Sequence, residues 1–393
     1  MLCFIRKVKI PLVAIWLPGR HPPTKRATIQ SEVARISLYD LDLDALEAQL
    51  AAWGEPRAQA RALAREIWRY LYREYSITPH DITPLPSSLQ SQLHEEVSIP
   101  HPTLLRETLS PEGSTRKVLL GLEDGAQIEA VLLRYRRRYT ACVSTQVGCA
   151  CGCRFCATGH MGFVRQLARG EIVAQVIHFQ RWLSEQDQAV SNVVFMGMGE
   201  PLLNLEETLG AIQRLTDPRG LAFAPGRITI STAGVAPGIV RLAEIHHHWP
   251  TKLAISLHAA TDDLRDTLMP INKAYPLEDL YAAVATYTSQ TGRRVLFEWV
   301  MIADINDSPE QAEALATWLR GLPAHVNLIE LNPTAGYAGA PSSPEAVTAF
   351  SAILDRYAIP HTMRQRRGGS IYAGCGQLCV PSTRAEGTGP PPM

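Results

Sequence analysis

The sequence carries no excess charge of either sign: 38 Lys and Arg stand against 38 Asp and Glu in 393 residues. Bulk attraction to polyanions or to an anionic membrane surface is thereby excluded, and any nucleic-acid contact must come from local patches. Long apolar runs are missing too. The run near the start, residues 10–17, is too short to span a bilayer, contains Pro11 and precedes no small-residue cleavage site. There is no internal repeat. Dispersed cysteines are also lacking: apart from Cys3, the eight cysteines crowd into residues 142–156 and 375–379. That excludes the framework of a disulfide-stapled secreted domain and points to metal ligation or redox chemistry in a reducing compartment, here the cytoplasm.

What is present is enough chain for an enzyme core plus a smaller domain. Residues 1–36 read as a disordered basic extension, and residues 37–97 as a helical accessory domain. In the latter, LDALEAQLAAWG and ARALAREIWRYLYREY space their apolar residues three and four apart. Residues 98–138 form a linker and a β-hairpin, RKVLLGL and AQIEAVLLRY around an Asp-Gly turn. From Tyr139 to Leu378, strand-like runs (YTACVS, NVVFMG, RITIST, KLAISLH, RVLFEWVMI, VNLIEL, IPHTMR) alternate with helical ones. That alternation predicts an α/β fold with a parallel sheet, an open or partial (β/α) barrel of about six units, with its chemistry at the C-terminal ends of the strands. Residues 379–393 read as a disordered tail.

Five of the eight cysteines lie in CVSTQVGCACGCRFC. Cys149, Cys153 and Cys156 form C-x3-C-x2-C after a strand. Three thiolates on one loop can hold three irons of a cubane cluster and leave the fourth iron open to chelate a small molecule. The competing reading is a four-thiolate zinc site that adds Cys151, although the Cys151–Cys153 spacing does not resemble a zinc knuckle. On the next strand, NVVFMGMGEPLLN brings Gly197, Gly199 and Glu200 to the C-terminal edge, where backbone can touch a ligand and a carboxylate suits an ammonium group. Ser231, Ser256, His258 and Asn332 stand at corresponding ends of later strands, which favours a shared ligand over independent capping roles.

Two thiols remain. Cys142 lies within a strand, and Cys375 lies between Gly374 and Gly376 in RRGGSIYAGCGQL. A free cysteine is most often a small buried hydrophobe, but flanking glycines suit an exposed loop. Each of these thiols follows a basic run: Arg134, Arg136, Arg137 and Arg138, interleaved with Tyr135 and Tyr139, and then Arg364, Arg366 and Arg367. In a chain of zero net charge, that placement fits phosphate contacts combined with aromatic stacking. His246, His247 and His248 read as a solvated loop, because neighbours on a helix end face different ways.

The cysteine triad with Phe155 before its last member resembles the radical S-adenosylmethionine (AdoMet) superfamily. More narrowly, CVSTQVGCACGCRFCATGHMGF, GMGEPLLN, ISLHAATDDLRDTLMPIN and AGCGQL, in this order, resemble the RlmN/Cfr family of radical AdoMet RNA adenine methyltransferases. The resemblance runs from about Leu41 to Leu378. It implies a partial (β/α)6 barrel with a small helical N-terminal domain and a 4Fe-4S cluster on Cys149, Cys153 and Cys156. It also implies AdoMet bound at Gly199, Glu200, Ser231, Ser256, Leu257, His258 and Asn332, with two molecules consumed per turnover.

The implied catalytic residues are Cys375, Cys142 and Glu129. Cys375 takes a methyl group from one AdoMet. A radical from the second removes hydrogen from that methyl, and the resulting carbon radical adds to adenine. Glu129 removes the ring proton, and Cys142 attacks Cys375 to form a disulfide that frees the RNA. Carbon 2 of adenine has no lone pair with which to attack AdoMet, which is why a radical and a resolving thiol are needed. The implied partners are 23S ribosomal RNA, tRNA beside the anticodon, and an electron donor such as flavodoxin or ferredoxin, with the chain a monomer. Three alternatives stand beside this reading: methylation at carbon 8 of adenine, a radical AdoMet enzyme acting on a non-RNA substrate, and a zinc-stabilised RNA-binding protein. Cys151 and Cys379 are left without a role.

Overall fold

Ten strands of one sheet set the architecture in a computed structural model that describes residues 35–82 and 85–380. In chain order they are β1 Thr103–Leu109, β2 Thr115–Gly121, β3 Gln127–Tyr135, β4 Arg138–Cys142, β5 Val190–Phe195, β6 Ile228–Thr232, β7 Lys252–Ser256, β8 Val295–Met301, β9 Ala324–Glu330 and β10 His361–Met363. Each strand lies beside its sequence neighbour. From β4 to β10 every pairing is parallel, and from β1 to β4 every pairing is antiparallel. The expected alternation is therefore the observed one: six strand–helix units curl into a partial barrel, followed by the short edge strand β10.

The parallel strands are buried along most of their length, as in Ile228, Ile230, Leu253, Ile255, Val295, Phe297 and Trp299. Helices close them from outside. Arg169–Ser184, for example, turns Ile172, Val173, Val176, Phe179 and Leu183 into the core. Helix starts follow local chemistry: Ser308 accepts from the Gln311 N–H and Ser343 from the Ala346 N–H, satisfying donors that have no partner in the first turn.

The hairpin expected at RKVLLGL and AQIEAVLLRY is β2–β3, paired in antiparallel register with Leu119 opposite Glu129. It is an extension of the barrel sheet. β3 turns into β4 through a two-residue loop between Tyr135 and Arg138, and β1, whose Leu104, Leu105 and Leu109 are exposed, adds an outer strand.

Among the described residues, three α-helices come before the sheet, Leu43–Ala52, Arg57–Tyr72 and Ser87–Glu96. Their buried Leu46, Leu50, Ile67, Trp68, Leu71 and Leu93 belong to the same continuous core as the barrel residues. Asp40 accepts the Gly170 N–H at 3.0 Å, tying this segment to the first turn of helix Arg169–Ser184. Residues 1–34 of the expected basic extension (1–36), with Cys3, and residues 381–393 of the expected tail (379–393) lie outside the described residues; Ile36 pairs in parallel with Val97, and the Cys379 N–H is bonded to Glu129. Among the described residues no helix is long and apolar enough to cross a membrane.

Candidate active site

A short hairpin frames the cysteine loop. Gln146–Gly148 pairs antiparallel with Phe163–Gln166, and the Cys149 N–H donates to the Gly162 carbonyl at 2.9 Å. Gly148 is obligatory there: its φ is +74°, and a Cβ would lie 1.9 Å from the Gly162 oxygen. The loop thus leaves the hairpin and returns to it, and Cys149, Cys153 and Cys156 lie between. All three thiols line one cavity of about 1040 Å³, part of it open to solvent.

Into the same cavity come Gly197, Gly199 and Glu200 after β5, Ser231 from β6, Ser256 and His258 from the end of β7, and Asn332 after β9. The strand-end groups singled out from sequence therefore meet. Leu257 differs from its neighbours: its side chain is in the core, its N–H donates to Glu298, and its carbonyl accepts from Arg265.

Glu200 is buried, and its oxygens accept the Leu202 N–H at 2.9 Å and the Ala233 N–H at 2.6 Å. Burial nevertheless pushes its pKa up to about 7, the state of a carboxylate that a cation in the cavity would re-ionise. Gly199 has a protein reason beyond ligand access, since at φ +99° its Cβ would meet the Gln146 side chain at 2.5 Å. Gln146 in turn accepts the Glu200 N–H at 2.8 Å. His258 accepts the Val300 N–H on Nδ1 at 3.0 Å. Burial draws its pKa down to about 3, so the ring is neutral with its proton on Nε2.

The donor set fits a cubane cluster carrying AdoMet. Burial pushes the Cys153 and Cys156 thiols up, whereas a hydrogen bond with the Cys151 side chain draws the Cys149 thiol down. The Cys151 N–H points at Cys149 Sγ at 3.5 Å, a hydrogen bond of the kind that tunes iron–sulfur sites. The Cys151 side chain packs among Phe155, Ala259, Leu268 and Met269. His246 lies against Tyr287, while His247 and His248 are exposed.

Cys375 reaches the cavity because the C-terminal loop is stitched over the cysteine loop. The Ala157 N–H donates to the Gly376 carbonyl at 2.7 Å, Thr158 Oγ1 to the Leu378 carbonyl at 2.6 Å, and Asn332 Nδ2 to the Cys375 carbonyl at 3.1 Å. Cys142 ends β4 within electrostatic reach of Cys375, and burial pushes its thiol up to about 12. The fold thus brings two cysteines more than two hundred residues apart within electrostatic reach of each other.

Glu129 is 1 % exposed, with Oε1 3.0 Å from Lys117 Nζ and Oε2 accepting the Cys379 N–H at 2.8 Å. Burial raises its pKa, and Lys117 opposes that rise. In this arrangement the Leu378–Cys379 segment stands between Glu129 and the cavity. Sequence reasoning did not find Lys117, Gln146 or Arg265. Only pairing across strands and burial mark them, although Arg265 falls in the ISLHAATDDLRDTLMPIN motif.

The two basic runs meet at Tyr135. Arg138 and Arg367 each stack on the Tyr135 ring at 4.5 Å, and Arg367 donates to the Arg134 carbonyl at 3.2 Å. Arg136 and Arg137 form the exposed tip of the β3–β4 hairpin. Arg366 bonds Asn332 and Glu330 at the wall. Arg364 is different: it lines the cavity and pairs with Glu298 at 3.0 Å.

Comparison with known proteins agrees with this geometry. The model of the Radical SAM superfamily matches residues 143–316. The dual-specificity RNA methyltransferase RlmN 1 of Myxococcus xanthus is 47% identical over 87% of this chain and 94% of its own length. A probable dual-specificity RNA methyltransferase RlmN 2 of Opitutus terrae is 45% identical over 93% of this chain and 91% of its own. The crystal structure of a radical SAM methyltransferase from Sphaerobacter thermophilus superposes with a TM-score of 0.83 at 46% identity, covering 87% of this chain and 99% of that one. With these similarities, and with the cysteine triad, the strand-end set and Cys375 lining one cavity, the chain belongs to the RlmN family of dual-specificity RNA methyltransferases, within the radical SAM superfamily.

Proposed function

We propose that this chain methylates carbon 2 of adenine in 23S ribosomal RNA and in tRNA beside the anticodon, in the cytoplasm, with two AdoMet per turnover and a flavodoxin- or ferredoxin-type electron donor. The observation that carries this reading is the position of Cys375: it lies in the wall of the cavity that the cysteine triad lines, with Cys142 within its electrostatic reach. The bound cluster and AdoMet supply the hydrogen-abstracting radical. The rest falls to side chains of this chain.

Cys375 carries the methyl group on its sulfur. Glu129 takes the proton from the ring carbon of the adduct, whose unpaired electron would leave to the electron-transfer couple that supplied it, and because Cys379 covers the Glu129 carboxylate, the loop shifts when RNA enters. Cys142 attacks the sulfur of Cys375: an S–S bond forms, the S–C bond breaks, and its electron pair stays on the carbon, which takes up a proton to become methyl. Burial raises the Cys142 pKa, so its thiol is protonated at rest. Arg134, Arg136, Arg137, Arg138 and Arg367, with Tyr135 stacked between two of them, form the surface that holds RNA phosphates. Arg366 and Arg364 serve at the cavity wall.

Replacing Cys142 tests the chemistry directly. With Cys142→Ala and an intact cluster, RNA is expected to stay covalently attached to the protein and to migrate as an adduct on a denaturing gel. Free RNA alone, with iron content at the wild-type level, would overturn the resolving role.

A further inference from the structure

Arg265 is a charged side chain with no exposed surface, and it serves no step described above. It projects from the helix Asp262–Leu268. Its Nε donates to the Leu257 carbonyl at 3.1 Å, Nη2 to the Ala233 carbonyl at 2.6 Å and the Ser256 carbonyl at 3.2 Å, and Nη1 to Asn272 Oδ1 at 2.7 Å. Every one of these acceptors is a neutral oxygen. The nearby carboxylates are held off: Asn272 Nδ2 donates to Asp262 and to Asp266, each at 2.8 Å, so the amide stands between them and the guanidinium.

A buried cation with only neutral partners is unfavourable unless an anion lies within reach. The anions within electrostatic reach of Arg265 are those of the cysteine loop, which sits on the same segment, together with Asp262 and Asp266 behind the Asn272 amide. The Arg154 N–H donates to the Leu268 carbonyl at 3.0 Å, and a Cβ on Gly152 would be 3.8 Å from Pro270. Cys153 is the strongest charge partner that favours the guanidinium, followed by Asp262, Cys151 and Asp266. A cubane core of charge two plus held by three thiolates carries one net negative charge, and a second after one-electron reduction. A fixed positive charge beside it stabilises the reduced form more than the oxidised one.

We propose that Arg265 is a positioning residue that acts through Cys153, a buried fixed cation that raises the reduction potential of the cluster and eases entry of the electron from the donor. This rests on the reading that Cys149, Cys153 and Cys156 hold a cubane cluster. Burial draws the Arg265 pKa down to about 10, so the group is charged throughout the neutral range. The same guanidinium joins the ends of β6 and β7 through the Ala233 and Ser256 carbonyls, and this ties the charge to a rigid part of the site.

The test uses the full chain reconstituted with iron and sulfide under anaerobic conditions, as wild type, R265Q and R265K. Iron per chain is counted first, and the midpoint potential is then read by redox titration followed by electron paramagnetic resonance. R265Q is expected to titrate at a more negative potential than wild type. R265K, which keeps the charge and loses the fork, is expected to stay near wild type although it melts lower. An unchanged potential in R265Q, or equal shifts in both variants, would overturn the proposal. If R265Q fails to take up iron, uptake by R265K supports the charge requirement, and failure of both refutes it. A wild type that binds no iron would instead remove the cluster reading itself.

Discussion

Glu129 is held from two directions, by Lys117 on the neighbouring strand and by the Cys379 N–H. Lys117 opposes Val131 and Glu129 opposes Leu119, so the pair is diagonal on one face of the β2–β3 ladder. Glu129→Gln is expected to lower methylation by about 10²–10⁴-fold, the usual worth of a general base, with iron content unchanged. The sign of the pH effect follows from the pKa. Burial raises it and Lys117 opposes the rise, so the basic form is lost as pH falls through a value above the ordinary carboxylate range. Lys117→Met removes the opposing charge and is expected to move the acid limb of the methylation profile to higher pH; a limb that stays in place contradicts the coupling. At this scale the thiols were legible because Cys is rare and its spacing is chemical. A lone Glu in a strand carries no such mark: Glu129 entered through family resemblance, and its burial and its lysine became visible only once β2 and β3 were paired.

The cysteine loop works as an element because its two ends are hydrogen-bonded to each other through the Gln146–Gly148 and Phe163–Gln166 pair. Gly148→Ala puts a methyl group against the Gly162 oxygen at a φ of +74°, which opens that pair at a cost of about 1–3 kcal/mol or more. The expected result is a lower melting temperature and a loss of bound iron after reconstitution, read by iron per chain. Wild-type iron in this variant would show that the loop does not need its frame. The barrel strands were legible as apolar runs, since parallel strands covered on both faces read that way. β1 was not, because its leucines are largely exposed and its pattern lacks a buried face. Nor was the stitching of the C-terminal loop, which depends on backbone carbonyls at Gly376 and Leu378 that no side-chain pattern announces.

Over the whole molecule, charge is balanced in number but not in position. Two arginine runs far apart in sequence meet at Tyr135. RNA binding is therefore expected to depend on salt although the net charge is zero. Replacing both Arg136 and Arg137 by Ala should weaken RNA binding and reduce the slope of log K against log salt by about 0.7–0.9 for each phosphate that is no longer neutralised. An unchanged slope would place the RNA elsewhere. In the sequence the two runs show only as neighbours of the two odd thiols; the β3–β4 hairpin and the crossing of Arg367 onto Arg134 make them a surface.

The most direct test of the central claim is mass spectrometry of nucleosides from unmodified ribosomal RNA and tRNA after incubation with the reduced enzyme and AdoMet. The account expects 2-methyladenosine in both RNAs from the wild type, and none from Cys375→Ala with its iron intact. A methyl group at carbon 8, or 2-methyladenosine formed without Cys375, would contradict it.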